Sequence, residues 1–325
     1  VKVKRTVSRR VAALVLPTLL LAAGAAQAQK APIKFVVPYP AGGAADQITR
    51  LVANEAAKTL GTSIVVENKA GAAGMIAGEA VARAQPDGTT FFVGSNAPLV
   101  INQALYATMP YDPEKAFVPV AGMGKSPLLL VTRPGLGPTD VSSFIAFAKK
   151  SPAPLSMGSA SAGNITHLAG EYAANLMGIK VMHVPFTGSA PAITNLMGRQ
   201  IDIMFDALPS SMQQAKAGKI VPLAILDNVR FPALPNVPTL KETGFAGAEA
   251  SAWFGVMAPA RTPEAAVTTL NRAINDALKN PELVEKLRGI GAQPMPGSPQ
   301  DFGAFISQER AKWNPLVKQL GVKAD

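Results

Sequence analysis

The chain has 325 residues, with 31 Lys and Arg against 21 Asp and Glu for a formal charge of +10, two histidines and no cysteine. Without cysteine there is no disulfide framework, no thiol nucleophile and no thiol for lipid attachment, and two histidines alone leave no zinc cluster. The basic residues stand singly, without basic runs or aromatic interleaving, which argues against a nucleic-acid surface.

Lys2, Lys4, Arg5, Arg9 and Arg10 precede an apolar stretch over residues 11–26 that ends in Ala26-Gln27-Ala28. A basic start, a short apolar run and a small-x-small ending are the profile of a secretory signal peptide, so residues 1–28 are expected to be removed and the mature chain to start at Gln29 in the periplasm. The run falls short of the about 20 strongly apolar residues that a membrane span needs. Ser8-Arg9-Arg10 resembles part of a twin-arginine signal, but the rest of that signal is missing, and ordinary Sec export is the expectation. The remaining chain carries 26 Lys and Arg against 21 Asp and Glu, so part of the basicity belongs to export. Its length fits about two domains.

Short apolar runs then alternate with helical patterns. Strands are predicted over 33–37, 63–66, 90–93, 128–132, 155–157, 180–184, 201–205, 220–225 and 253–257, mostly of the length of buried parallel strands. The first helix is expected to be capped by Asp46, to bury Ile48, Leu51, Val52 and Leu60, and to close at Gly61. Further helices are expected after Asp140, over 166–177 and over 191–197. Beyond Trp253 the pattern turns helical, over 263–279, 281–288 and 299–320, each with a proline near its start. This alternation predicts an α/β fold. The extended runs 125–134 and 252–259 read as two crossovers between lobes: residues 30–125 plus 256–325 form a discontinuous first lobe and residues 126–255 the second. Two such connections make a hinge.

Two loops carry the functional reading. The first strand runs into Tyr39, Pro40, Ala41, Gly42, Gly43, Ala44, Ala45 and Asp46 just before a helix. Paired glycines there let backbone approach a ligand, and a helix start offers unpaired N–H groups and partial positive charge to an anion. Neither the dinucleotide fingerprint nor the phosphate-binding loop matches. A second loop, Gly158-Ser159-Ala160-Ser161-Ala162-Gly163-Asn164, leads into a helix starting near Thr166 and His167. Its hydroxyls and amide add neutral donors beside another helix start. In parallel sheets such loops lie at the carboxyl ends of strands, where α/β proteins bind ligands.

These residues carry a resemblance. Val37-Pro38-Tyr39-Pro40-Ala41-Gly42-Gly43 with Asp46 and Arg50, Gly158-Ser159 with Gly163 and His167-Leu168, His183-Val184-Pro185-Phe186, Gly188-Ser189-Ala190-Pro191-Ala192, and Gln200 through Asp206 occur in order. With Pro235 through Thr239 and the Trp313 helix, the chain resembles the tripartite tricarboxylate transporter substrate-binding (Bug, TctC-like) family over its whole mature length. The resemblance implies a two-lobed periplasmic binding protein of type II-like Venus-flytrap form, each lobe a sheet flanked by helices. It also implies a small carboxylate ligand (a dicarboxylate, an acidic amino acid or an aromatic acid), membrane permease subunits as partners, no cofactor and no metal. A monomer is expected.

Carried over onto this chain, the ligand-binding candidates are Tyr39, Ala41, Gly42, Gly43 and Asp46, with Ser95 and Asn96 after the third strand, then Ser159, Ser161, Asn164, Thr166, His167, Thr187, Ser189 and Asp206. Ala44 stands where many relatives place a small hydroxyl. Asp46 reads more readily as a helix cap than as a contact, and His183 as structural. Asp206 beside an anion site repels unless it pairs with a ligand ammonium or accepts bonds from water or backbone. Two other readings compete: a sensing subunit for a signalling receptor, and a hydrolase. The latter finds no G-x-S-x-G elbow and no evident partner for either histidine.

Overall fold

The computed structural model describes residues 31–322; the predicted signal peptide and its cleavage site lie outside the described residues. In chain order the strands are β1 (Ile33–Val37), β2 (Ile64–Asn68), β3 (Thr90–Ser95), β4 (Phe117–Thr132), β5 (Leu155–Ser159), β6 (Val181–Pro185), β7 (Ile203–Ala207), β8 (Val221–Ile225), β9 (Ser251–Pro259) and β10 (Gln293–Pro294). The helices are α1 (Ala44–Leu60), α2 (Met75–Ala82), α3 (Asn102–Leu105), α4 (Pro113–Ala116), α5 (Val141–Lys150), α6 (Ile165–Leu176), α7 (Ser189–Met197), α8 (Leu208–Lys216), α9 (Glu264–Lys279), α10 (Pro281–Ile290) and α11 (Pro299–Leu320).

The strands join in the order β2-β1-β3-β9-β4-β7-β5-β6, with β8 and β10 also paired to β4. Pairing is parallel at both outer ends, β2-β1-β3 and β7-β5-β6. At the centre it is antiparallel, through β9 and β4. The expectation of parallel strands therefore fails at the middle, where β3, β9, β4 and β7 alternate in direction, so the two outer groups run opposite to each other. β4 belongs to both halves: Phe117 to Pro127 pair with β9, and Leu128 to Thr132 pair with β7 and β8.

The period of two along β4 feeds two cores. Leu128 and Leu130 join the larger cluster with Phe35, Ile48, Phe92, Phe144 and Phe205, while Leu129 and Val131 join Ile193, Leu196, Met204 and Met212. Alternate side chains leave a strand on opposite faces, and both faces are covered by helices, which is why these residues read as one apolar run.

The predicted helices form with local chemistry at their ends. Asp140 caps α5 in a reciprocal capping box with Ser143, Asn164 caps α6 through the Thr166 N–H, and Ser298 with Asp301 does the same for α11. α1 departs from expectation. Its N-cap is Gly43, and Asp46 lies inside the first turn. The strand expected over 128–132 begins earlier, at Phe117, and its first part, which contains Pro119, Gly122 and Gly124, is bulged. Gly255, opposite Gly122 on β9, lies so close to Phe302 that an added Cβ would be 2.2 Å from the ring. The glycine is there to let α11 reach the sheet.

Candidate ligand-binding site

The carboxyl ends of β1, β3, β5 and β7 turn toward one cavity. Its wall includes Tyr39, Gly43, Ala44 and Ala45 from the β1–α1 turn, Ser95 at the end of β3, Asn164 and Thr166 at the start of α6, and Ser189 at the start of α7. Ala207, which caps α8, and Ala252 and Phe254 of β9 complete it. Helix starts from both halves of the sheet thus converge on one space, each bringing first-turn N–H groups that no carbonyl of the same helix accepts. No lysine or arginine is among these lining residues. The space is small, about 30 Å³, the room of an ordered water or two.

Links across the gap hold it narrow. Asn164 Nδ2 donates to Tyr39 Oη at 2.9 Å, and Tyr39 Oη shares a second bond of 3.0 Å with Ser95 Oγ. Burial pushes the Tyr39 phenol up to about 12 against these two hydrogen bonds, so it remains protonated. Gln47 Nε2 of α1 donates to the Pro209 carbonyl of α8 at 2.9 Å. Gly188 is pressed so closely to Pro40 that a Cβ there would be 2.6 Å from Cδ of the proline ring.

Of the sequence candidates, Tyr39, Gly43, Ser95, Asn96, Asn164, Thr166 and Ser189 meet at this cavity. Several do so as scaffolding. Asn164 Oδ1 accepts from the Thr166 N–H, and Thr166 Oγ1 accepts from the Ala160 N–H at 2.9 Å, which shapes the loop before α6. The Asn96 side chain is engaged elsewhere: Nδ2 donates to the Ser251 carbonyl and to Glu309, and Oδ1 accepts from the Trp253 N–H.

Other candidates stand apart from the wall. Asp46 accepts from the Gly42 N–H, from Arg50 Nε and from Asn68 Nδ2. Burial works to raise its carboxyl, but the bonds from Arg50, Gly42 and Asn68 outweigh it and hold the group below the usual range. As neither cap nor wall, it fixes the turn that aims α1. Ala41, Gly42 and Thr187 are exposed. Ser159 donates to the Ser161 carbonyl and shares a 2.6 Å bond with His183 Nε2. His183 stacks on His167 at 3.5 Å between ring centroids, and burial, then the neighbouring ring, lower it to about 3. His167 Nδ1 accepts from the Gly163 N–H. The pair thus braces the second loop from behind, while the Ser161 hydroxyl is buried without a partner.

Asp206 sits directly behind the wall, fully buried. Ser189 Oγ donates to its Oδ1 and Ser210 Oγ to its Oδ2, both at 2.5 Å. Burial pushes its carboxyl up to about 6 against those two bonds and one from the Ala207 backbone. Ser210 escaped the sequence reading together with α8. Pro209 in the first turn of that helix was the available signal.

A two-lobed α/β fold whose helix starts converge on one gap is the architecture of a periplasmic solute-binding protein. A family model described as the tripartite tricarboxylate transporter family receptor matches residues 48–322, and the chain belongs to that family. Protein BugT of Bordetella pertussis (strain Tohama I) is 34% identical over 293 residues, covering 90% of each chain. Among solved structures, Rpa4515 of R. palustris with adipate is 36% identical with a TM-score of 0.87, covering 90% of this chain and 98% of that one. The periplasmic binding protein BugD is 32% identical at 0.86, over 90% of this chain and 99% of its own. MatC of Rhodopseudomonas palustris with bound malate is 33% identical at 0.83, over 88% and 98%. The family is one of periplasmic receptors and not of enzymes, which removes the hydrolase alternative.

Proposed function

We propose that this chain captures a small carboxylate in the periplasm and delivers it, as a monomer, to the permease subunits of a tripartite transporter. The observation that carries the reading is the convergence of helix starts from both halves of the sheet on a cavity lined by no cationic side chain. Oriented N–H groups in a desolvated gap bind an anion without lysine or arginine. Each bond to a charged partner contributes about 1.5 to 3 kcal/mol, so a few of them reach the about 8 kcal/mol of a micromolar complex.

The lobes proposed to close on the ligand are residues 30–125 plus 256–325 and residues 126–255. The passage of β4 from one half of the sheet to the other after Pro127, and the start of β9 at Ser251, support hinge points near those boundaries. Few residues then need to change φ and ψ for the gap to open.

Thermal denaturation of the chain beginning at Gln29, against a carboxylate panel that includes adipate and malate, tests the reading. A true ligand at 100 times its dissociation constant adds about 2.7 kcal/mol of stability. Affinity should change less than about threefold between low and moderate salt, because no exposed cation pairs with the ligand. A steep salt dependence, or no carboxylate that stabilises the protein, would overturn it.

A further inference from the structure

Ser189 has one hydroxyl hydrogen, and in this structure it points away from the cavity. Ser189 lines the wall, and its hydroxyl proton lies on the 2.5 Å bond to Asp206 Oδ1. An ionised carboxylate only accepts, so a serine bound to one must donate to it. The Ser189 hydroxyl therefore has lone pairs but no proton to offer the cavity. Ser210 holds the other carboxylate oxygen in the same way, so Asp206 has no unused oxygen to take a ligand group directly.

Beyond the Ala207 backbone N–H, the surroundings do not offer Asp206 a different partner. α7 carries no ionisable side chain, and the one on α8, Lys216, lies at its far end. β4 places Leu129 opposite Asp206, and β5 has no charged residue. On α1, Asp46 and Arg50 are bound to each other, and Gln47 is bound to Pro209. His183 faces Ser159 and His167 instead.

We propose that the Ser189–Asp206 pair makes the site select carboxylates whose carbon chain also carries a hydrogen-bond donor, a hydroxyl or an ammonium, over plain carboxylates of the same length. The inference rests on the carboxylate reading of the site. In a desolvated gap a donor on the ligand meets the Ser189 oxygen, whereas a plain methylene leaves that oxygen without a partner. Sites that hydrogen-bond a ligand hydroxyl discriminate strongly against analogues lacking it, because their own polar group is then stranded.

The experiment is calorimetric titration of the chain from Gln29 with matched sets differing at one carbon: succinate, malate and aspartate; glutarate, 2-hydroxyglutarate and glutamate. Wild-type protein should bind a donor-bearing member of a set about tenfold or more tighter than its plain counterpart. If the hydroxy acid leads, the donor is a hydroxyl; if the amino acid leads, it is an ammonium. Ser189→Ala should bring the two affinities within about threefold, chiefly by weakening the donor-bearing ligand. Asp206→Asn can donate its amide N–H to Ser189, which frees the serine proton to turn toward the cavity, so the ratio should shrink here too. A purely structural role for the pair would lower both affinities together and leave the ratio unchanged. Equal binding of plain and donor-bearing ligands by the wild type, or a ratio that neither variant moves, overturns this inference and leaves the carboxylate reading standing. Failure of every carboxylate to bind overturns both.

Discussion

Asn164 and Tyr39 lie 125 residues apart, on opposite sides of the gap, and meet in a 2.9 Å hydrogen bond. Both belong to glycine-rich turns that aim a helix start at the cavity, so the bond forms only when the two turns are brought together. Tyr39→Phe deletes the acceptor and also the partner of Ser95. A bond between neutral groups contributes about 0.5 to 1.5 kcal/mol, so ligand affinity should fall about threefold to tenfold. Calorimetry on the variant reads this, and small-angle scattering should show the ligand-free protein shifted toward a wider form.

Gly188 and Pro40 impose a second condition on the narrow form. The φ of Gly188 is 172°, extended backbone that any residue adopts. Space alone is the constraint, since a Cβ would stand 2.6 Å from Cδ and 3.1 Å from Cγ of Pro40. Gly188→Ala should therefore hinder closure without straining the separate halves. Affinity is expected to drop at least tenfold, while the melting temperature of the ligand-free protein moves by no more than a few degrees, as for a surface change of about 0.5 kcal/mol. A large loss of ligand-free stability would show instead that the contact belongs to the core of one half.

Much of this arrangement is legible in the sequence because it rests on local chemistry. A strand, a glycine turn and a helix start follow one another within about a dozen residues in both the Tyr39–Asp46 and the Ser159–Thr166 segments, and backbone geometry then fixes where the N–H groups point. The parts that escape depend on distant partners. Asn96 follows β3 as a ligand residue would, but Ser251, Trp253 and Glu309, more than 150 residues away, take its amide. Asp46 has cap chemistry, yet Asn68 of β2 draws its carboxylate back onto the turn. Gly122 and Gly124 break the strand pattern over the first part of β4, and their neighbours there are distant in sequence: Met295 for Gly122, Gln293 and Ile48 for Gly124.

The buried carboxyl of Asp206 ties stability to pH. Its folded value, about 6, lies above the ordinary 3.8, so the folded protein holds this proton more tightly than the unfolded chain. The contribution is complete below the unfolded value and is lost as pH rises through the folded one. At about 1.4 kcal/mol for each pH unit between the two values, the part lost between pH 5 and pH 8 is about 1 to 1.5 kcal/mol. Asp206→Asn has no proton to lose, so wild type should lose that much more stability than the variant over this range. Urea unfolding at both pH values measures the difference. His183, held at about 3, acts in the opposite sense: its stabilising effect is present above the ordinary 6.5 and declines as pH falls below it. That contribution occurs in both proteins and cancels from the comparison.

Glu309 of α11 joins β9, Asn96 and its own helix through one oxygen. Its Oε2 accepts from Trp253 Nε1 at 2.9 Å, from Asn96 Nδ2 at 3.1 Å and from Trp313 Nε1 at 3.2 Å. Both indole rings are almost fully buried, so no water replaces the carboxylate if it is removed. Glu309→Gln keeps one acceptor oxygen of similar reach and should cost about 1 to 2 kcal/mol, the difference between charged and neutral acceptors. Glu309→Leu strands three donors and should cost about 3 to 5 kcal/mol, in the range of a broken buried network. These are the chain's two tryptophans, so their fluorescence reports the node directly during urea unfolding. A Leu variant as stable as wild type, with unchanged emission, would mean that the three donors find other partners and that β9 is anchored without Glu309.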